Sequence, residues 1–276
     1  MMSVSVRSTL GGAGFVAMLL AACWPAAAQS TSLKPVLECT AIVDAKGGAA
    51  LYRQGSCDKR VSALSTFKVP LALIGYDTGI LTDPHNPRWD YKPEFNAIKR
   101  DQRPVNPSIW LADSVVWYSQ ELTRKLGAAR FGDYVRKFNY GNRDISGNPG
   151  KNDGLTQAWL NSSLKISPDE QIAFLRGIAG RSLPVSAKAY DMTEAAMPAF
   201  EAGGWQVKGK TGTGRLAGKG GAPNSSRPIG WFVGWAEKDG KRIVFAKLVI
   251  NNGKSNGLMG RVVRAAFLEE LPGLIK

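Results

Sequence analysis

Trp205-Gln206-Val207-Lys208-Gly209-Lys210-Thr211, Ile229-Gly230-Trp231-Phe232-Val233-Gly234-Trp235-Ala236 and Arg242-Ile243-Val244-Phe245-Ala246-Lys247-Leu248-Val249-Ile250 follow one another near the end of the chain. Short runs rich in Val, Ile, Phe and Trp read as strands. A matching signal lies near the start, where Cys39-Thr40-Ala41-Ile42-Val43-Asp44 and Ala49-Ala50-Leu51-Tyr52-Arg53 flank Lys46-Gly47-Gly48 as a hairpin. Between these ends the pattern turns helical. Strands at both termini with helices between them predict an α+β fold, with a mostly antiparallel sheet built from the two ends and a helical region inserted between them. The sheet part is expected over about 29–64 and 201–276, and the mainly helical part over about 65–200.

Within the insert, Ser65 to Tyr76 reads as a helix with Pro70 close to its start, where a missing N–H costs little. Pro, Asn, Asp and aromatics from Asp77 to Ala112 read as loop. Helical signals run from Ser114 to Leu126 and from Ala128 to Phe138. Ser167-Pro168-Asp169-Glu170 sets an N-cap, a first-position proline and a capping-box glutamate before Ile172, Phe174 and Leu175. A last helix is expected from Leu258 to Leu271.

The first residues read as an address rather than as structure. Arg7, an apolar run from Ala13 to Trp24 and Ala26-Ala27-Ala28 make a secretory signal peptide over 1–28, with the mature domain over 29–276. The run falls short of the ~20 residues a membrane span needs. Leu20-Ala21-Ala22-Cys23 also fits a lipobox, so lipid anchoring at Cys23 stands as an alternative to a free periplasmic protein. The formal charge of +14 falls to +13 without Arg7. Such a surface attracts anions, yet Lys and Arg are scattered and no nucleic-acid motif accompanies them. Cys39 and Cys57 remain after the leader, and in an oxidising compartment they are expected to bridge, since the hairpin returns one towards the other. With these two cysteines and one histidine, His85, the usual zinc set is not available.

The same shortage shapes the catalytic reading. A Ser-His-Asp triad would have to use His85, in the loop-like Asp83-Pro84-His85-Asn86-Pro87. A nucleophilic serine here needs another base, and lysine is the alternative. Ser65-Thr66-Phe67-Lys68 supplies one: residues three apart share a helix face, and the helix N-terminus favours an oxyanion. The apolar Val69, Leu71, Leu73 and Ile74 offer the burial that lowers a lysine pKa. Lys210-Thr211-Gly212, followed by Thr213, ends a strand whose edge could pair with an extended amide while Gly212 admits it closely. Each short pattern also occurs in capped helix starts and charged strand ends; their order is what carries information.

That order resembles the serine β-lactamases and penicillin-binding proteins, with S-x-x-K, a middle serine motif and K-T-G. The middle motif here is Ser114-Val115-Val116 rather than S-D-N. With Tyr140-Gly141-Asn142, Trp159-Leu160, Ser163-Leu164-Lys165-Ile166-Ser167 and Trp231-Phe232-Val233-Gly234-Trp235, the set is similar to the class D, oxacillin-hydrolysing β-lactamases. The resemblance implies their fold and their reaction, hydrolysis of β-lactam antibiotics through an acyl-enzyme on Ser65. It also implies Lys68, carboxylated by carbon dioxide, as general base. Val116 and Trp159 support that base, and Ser114 with Lys210 relays a proton to the leaving nitrogen. Backbone N–H groups of Ser65 and Thr213 form the oxyanion hole. Thr211 and Arg261 bind the substrate carboxylate, and Tyr140 and Asn142 shape the site. No further cofactor is implied, and the only partner is a small-molecule β-lactam. Two alternatives share the nucleophile: a penicillin-binding protein, and a sensor-like protein that acylates without turning over.

Overall fold

The hairpin and the three late runs meet in one sheet. The computed structural model describes residues 1–5, 35–217, 223–255 and 258–275. The expected leader from Arg7 to Ala28, Cys23 included, lies outside the described residues. Contacts divide the chain into Met1–Ser32 and Leu33–Lys276, and the site lies wholly in the second unit.

The sheet has six antiparallel strands in the order β2-β1-β8-β7-β6-β5. They are β1 (Pro35–Asp44), β2 (Ala50–Gly55), β5 (Ala199–Ala202), β6 (Trp205–Ala217), β7 (Pro223–Lys238) and β8 (Lys241–Asn251). Two-residue strands β3 (Val61–Ser62) and β4 (Lys165–Ile166) pair separately. Cys39 and Cys57 are joined in a disulfide.

The late runs read as continuously apolar because the sheet is covered on both faces. Trp231, Val233 and Trp235 of β7 and Val244, Ala246 and Leu248 of β8 join the core beneath the helical insert. Phe232, Ile243, Phe245 and Val249 bury on the other face, against Val263, Phe267 and Leu271 of α7 (Met259–Leu274). There Phe245 stacks on Phe267 at 4.3 Å. Burying each such ring is worth about 1.5–3 kcal/mol.

The insert is organised around α1 (Lys68–Asp77), buried from Lys68 through Tyr76. A helix apolar all round belongs in a core, and α1 packs on α3 (Val116–Lys137) and α6 (Ala187–Ala196). Gly127 breaks α3 with φ 75°, which is where the two expected helical signals part. The remaining helices are α2 (Pro107–Asp113), α4 (Gly154–Gln157) and α5 (Pro168–Ala179). The α5 capping box forms in both directions: Glu170 N–H donates to Ser167 Oγ at 3.2 Å and Ser167 N–H to the Glu170 carboxylate at 2.9 Å.

Two expectations need correction, and two elements went unread. The stretch 77–112 is not loop throughout, because Asn106 caps α2 by accepting from Ile109 N–H, with Pro107 in the first turn. Asn-Pro was the available signal, hidden among other Pro and Asn residues. Strand β6 does not stop at Thr211 but runs through Gly212 and Gly214 to Ala217, because pairing with β7 offsets the weak strand preference of glycine. The short β5 and α6 carried no periodic pattern long enough to register.

Candidate active site

Ser65 sits in a 3₁₀ turn, Leu64–Phe67, that runs directly into α1. The turn is fixed from several sides. Leu64 holds a left-handed backbone with φ 53° and donates its N–H to the Trp159 carbonyl at 2.8 Å. Thr66 Oγ1 donates to the Ala63 carbonyl at 2.6 Å and accepts from Gln171 Nε2 at 2.9 Å. Gln171 also donates to Tyr140 Oη at 3.3 Å. This side chain escaped the sequence reading; on the 3.6-residue pattern it looks like an ordinary polar residue of α5. The glycines of β6 let the turn lie against the strand. A Cβ on Gly214 would come within 2.5 Å of Leu64, and one on Gly212 within 3.2–3.3 Å of Trp231, Leu64 and Thr66. Gly212, expected to admit substrate closely, turns its missing side chain towards the serine-bearing turn.

Lys68 is fully buried and reaches Ser65, Nζ donating to Oγ at 3.3 Å. Burial lowers its pKa to about 7, against the opposing pull of Asp101. That carboxylate helps little, because Arg100 already pairs with it at 2.6 Å. Phe67, one residue earlier, stacks on Trp159 at 5.5 Å and meets Phe131 and Tyr140 edge-on. Trp159 is itself fully buried, and its indole N–H has no hydrogen-bond partner. An unmatched buried donor costs about 1–3 kcal/mol, so this N–H is poised for an acceptor.

Ser114 lies at the junction of α2 and α3, in a left-handed conformation with φ 63°. Buried Lys210 donates to Ser114 Oγ and to the Thr211 carbonyl, both at 3.0 Å. Burial, Lys68, Arg264 and Arg261 all push the Lys210 pKa well below the ordinary lysine range. Val116 starts α3 and lines a hollow with Ser114, Trp117 and Leu160. Asn142 is structural in its contacts, Nδ2 donating to the Ser163 carbonyl at 2.7 Å and Oδ1 accepting from Lys165 N–H at 2.9 Å.

Strand alternation sorts the rest of β6. Lys210 pairs with Val233 and Gly212 with Trp231, on the face of the insert; Thr211 pairs with Phe232 and Thr213 with Gly230, on the face of α7. Thr213 Oγ1 accepts from Gly260 N–H at 2.8 Å, tying the strand to the start of α7. Strand β5 covers β6 only to Lys208, so among the described residues the β6 edge beyond it has no strand partner. A cavity of about 320 Å³ opens there, lined by Ser65, Ser114, Thr211, Thr213, Arg261 and Arg264, with Arg100, Asp113, Ala112 and Leu258 at its margins. Arg261, singled out in the sequence, lines this cavity. Arg264 and Arg100 were missed, since nothing in an arginine's local sequence marks it as facing a cavity.

The structure thus brings Ser65, Lys68, Ser114 and Lys210 into hydrogen-bonded pairs beside an open strand edge with arginines at one end. Residues 30–271 match the penicillin-binding protein transpeptidase domain. The chain is similar to beta-lactamase OXA-9 of Klebsiella pneumoniae, 49% identical over 261 residues that cover 94% of this chain and 95% of that one. The chain belongs to the class D β-lactamases. Beta-lactamase OXA-1 of Escherichia coli is 37% identical over 82% of each chain. The crystal structure of OXA-427 class D beta-lactamase superposes with a TM-score of 0.80 at 43% identity, covering 86% of this chain and 97% of that one. The class D enzyme is accordingly a serine β-lactamase that hydrolyses β-lactams, and its transpeptidase-like fold is the antiparallel sheet with flanking helices read from the sequence. Among the described residues, no helix of this β-lactamase is long and apolar enough to cross a membrane.

Proposed function

We propose that Ser65 is the nucleophile and that Lys68, carboxylated on Nζ, is the general base for both halves of the reaction. The observation that carries this reading is the fully buried Lys68 amine at 3.3 Å from Ser65 Oγ, its pKa brought to about 7. Carboxylation needs a neutral amine, and this burial provides one at physiological pH. The unpartnered Trp159 N–H fits the same group, since it is a buried donor in want of an anionic acceptor. When bound, the carboxyl group supplies an anionic oxygen base for deprotonating the serine and, later, a hydrolytic water. Among the described residues no acidic side chain other than Asp101 acts on the Lys68 charge, which supports the use of one group for acylation and deacylation.

The other residues follow from their contacts. Lys210 holds Ser114 Oγ at 3.0 Å. With its proton weakly held, Lys210 can resupply Ser114, which donates to the leaving nitrogen as the amide bond breaks. Backbone N–H groups of Ser65 and Thr213 are assigned to the oxyanion, where each donor is worth about 3–4 kcal/mol. The β6 edge at Gly212–Thr213 aligns the substrate amide, and Thr211 and Arg261 receive its carboxylate, for which a planar guanidinium suits a two-oxygen partner. Val116 shields the base. The relatives' enzymes are β-lactamases, and a small-molecule β-lactam is the substrate proposed here. Besides the water consumed in hydrolysis, carbon dioxide or bicarbonate is the co-reactant that the proposed base requires. The leader read over residues 1–28 places the mature enzyme in the periplasm.

Steady-state hydrolysis of a penicillin, with and without added bicarbonate, tests the assignment. Activity is expected to rise with bicarbonate, and Lys68→Ala is expected to hold an acyl-enzyme visible by intact mass. Robust turnover by Lys68→Ala would refute the base assignment.

A further inference from the structure

The mechanism uses Arg261 and leaves Arg264 without a role. The two stand three residues apart in the first turns of α7, hence on one face of the helix, and both line the cavity that holds Ser65. Among the described residues neither forms an ion pair with a carboxylate. The acids near the cavity are committed elsewhere, Asp113 to Arg103 and Asp101 to Arg100. Arg264 is half-buried, and its guanidinium lies 4.7 Å over the Phe200 ring, which steadies the head group. Its burial and the neighbouring Arg261 both disfavour its positive charge, and its field reaches Lys210. One monoanionic ring carboxylate occupies one guanidinium fork and leaves the second cation uncompensated.

We propose that Arg264 forms a second anion subsite beside Arg261, selecting β-lactams that carry two negative charges at the ring-carboxylate end. The proposal rests on the reading of Arg261 given above and adds the substrate class. A carboxylate or sulfonate on the substituent nearest the ring carboxylate would meet Arg264 while the ring carboxylate meets Arg261.

The test uses a matched pair of cephalosporins with the same nucleus, one whose C3 substituent ends in a sulfonate and one whose substituent is neutral. Steady-state kcat/KM and the rate of Ser65 acylation, followed by intact mass, are measured for the full enzyme, Arg264→Ala and Arg264→Lys. The preference for the dianion is expected to fall about fivefold in Arg264→Ala, the size of an accessible ion pair. The loss should appear in KM rather than kcat, be partly retained in Arg264→Lys, and shrink in the parent enzyme near about 1 M salt, where screening reaches about 3 Å. An unchanged dianion preference in both variants, or equal losses for both substrates, overturns the subsite. Preferential acylation by the dianion without turnover would leave the subsite standing and remove the hydrolytic reading instead.

Discussion

Two lysines flank Ser65, both buried, and their surroundings differ. Lys68 is fully buried one residue after the ring-packed Phe67, its amine donating to the Ser65 hydroxyl, and its pKa falls to about 7 chiefly through loss of water. Lys210 is held by two acceptors, Ser114 Oγ and the Thr211 carbonyl, and its pKa is depressed by neighbouring cations as well as by burial. A dry amine with a single weak contact is free to react; one gripped by two hydrogen bonds is fixed in position and can only pass a proton. The same residue type therefore serves two chemistries, decided by what surrounds it.

The comparison breaks most sharply at Lys68. Lys68→Ala is expected to reduce penicillin turnover by about 10³-fold or more, in the upper range of general-base effects, with the acyl-enzyme persisting. Lys210→Gln keeps a polar group beside Ser114 but not the proton supply. It is expected to slow acylation by about 10²-fold in a stopped-flow assay while leaving deacylation less affected. Equal losses in both steps would mean that the two lysines do not divide the work. Trp159→Phe keeps the ring and removes the N–H. We expect about tenfold slower deacylation, partly restored by high bicarbonate, by analogy with the loss of a hydrogen bond that orients a reactive group.

A pH series sharpens the contrast further. In bicarbonate-containing buffer, turnover is expected to fall with a single protonation as pH drops through about 7, because a charged Lys68 amine can neither react with carbon dioxide nor act as a base. Stability, measured in bicarbonate-free buffer, should respond in the same direction. Below about 7 the Lys68 amine is protonated in both folded and unfolded chains. Between there and the ordinary lysine range the unfolded chain binds the extra proton, so this residue's contribution to stability rises with pH. Lys68→Ala should flatten that slope in denaturant titrations. The smallest effect on chemistry is expected from Cys39→Ser, remote from both lysines. Opening an 18-residue loop should lower stability by about 3 kcal/mol and Tm by several degrees, with kcat nearly unchanged at 25 °C.

Several features are local, and the chain itself specifies them. The Ser167-Pro168-Asp169-Glu170 cap forms because its donors and acceptors lie within one turn. The hairpin carrying Cys39 and the apolar runs of β7 and β8 follow from composition and turn residues. The adjacency of Ser65 and Lys68 follows from spacing alone. By contrast, the full length of β6 depended on its partner strand: a glycine-rich segment becomes strand only when β7 supplies its ladder.

What the sequence determined was the strand signals at the two ends, the serine–lysine pair and the Lys210-Thr211-Gly212 strand end, because each rests on residues within a few positions of one another. What only the tertiary structure decided was the dryness around Lys68, the orphaned Trp159 N–H, the Gln171 brace beneath the turn and the cavity that joins Arg264 to Arg261. Those properties belong to packed surroundings, and a dielectric or an unmet hydrogen bond exists only once segments far apart in the chain have closed around a side chain and excluded water.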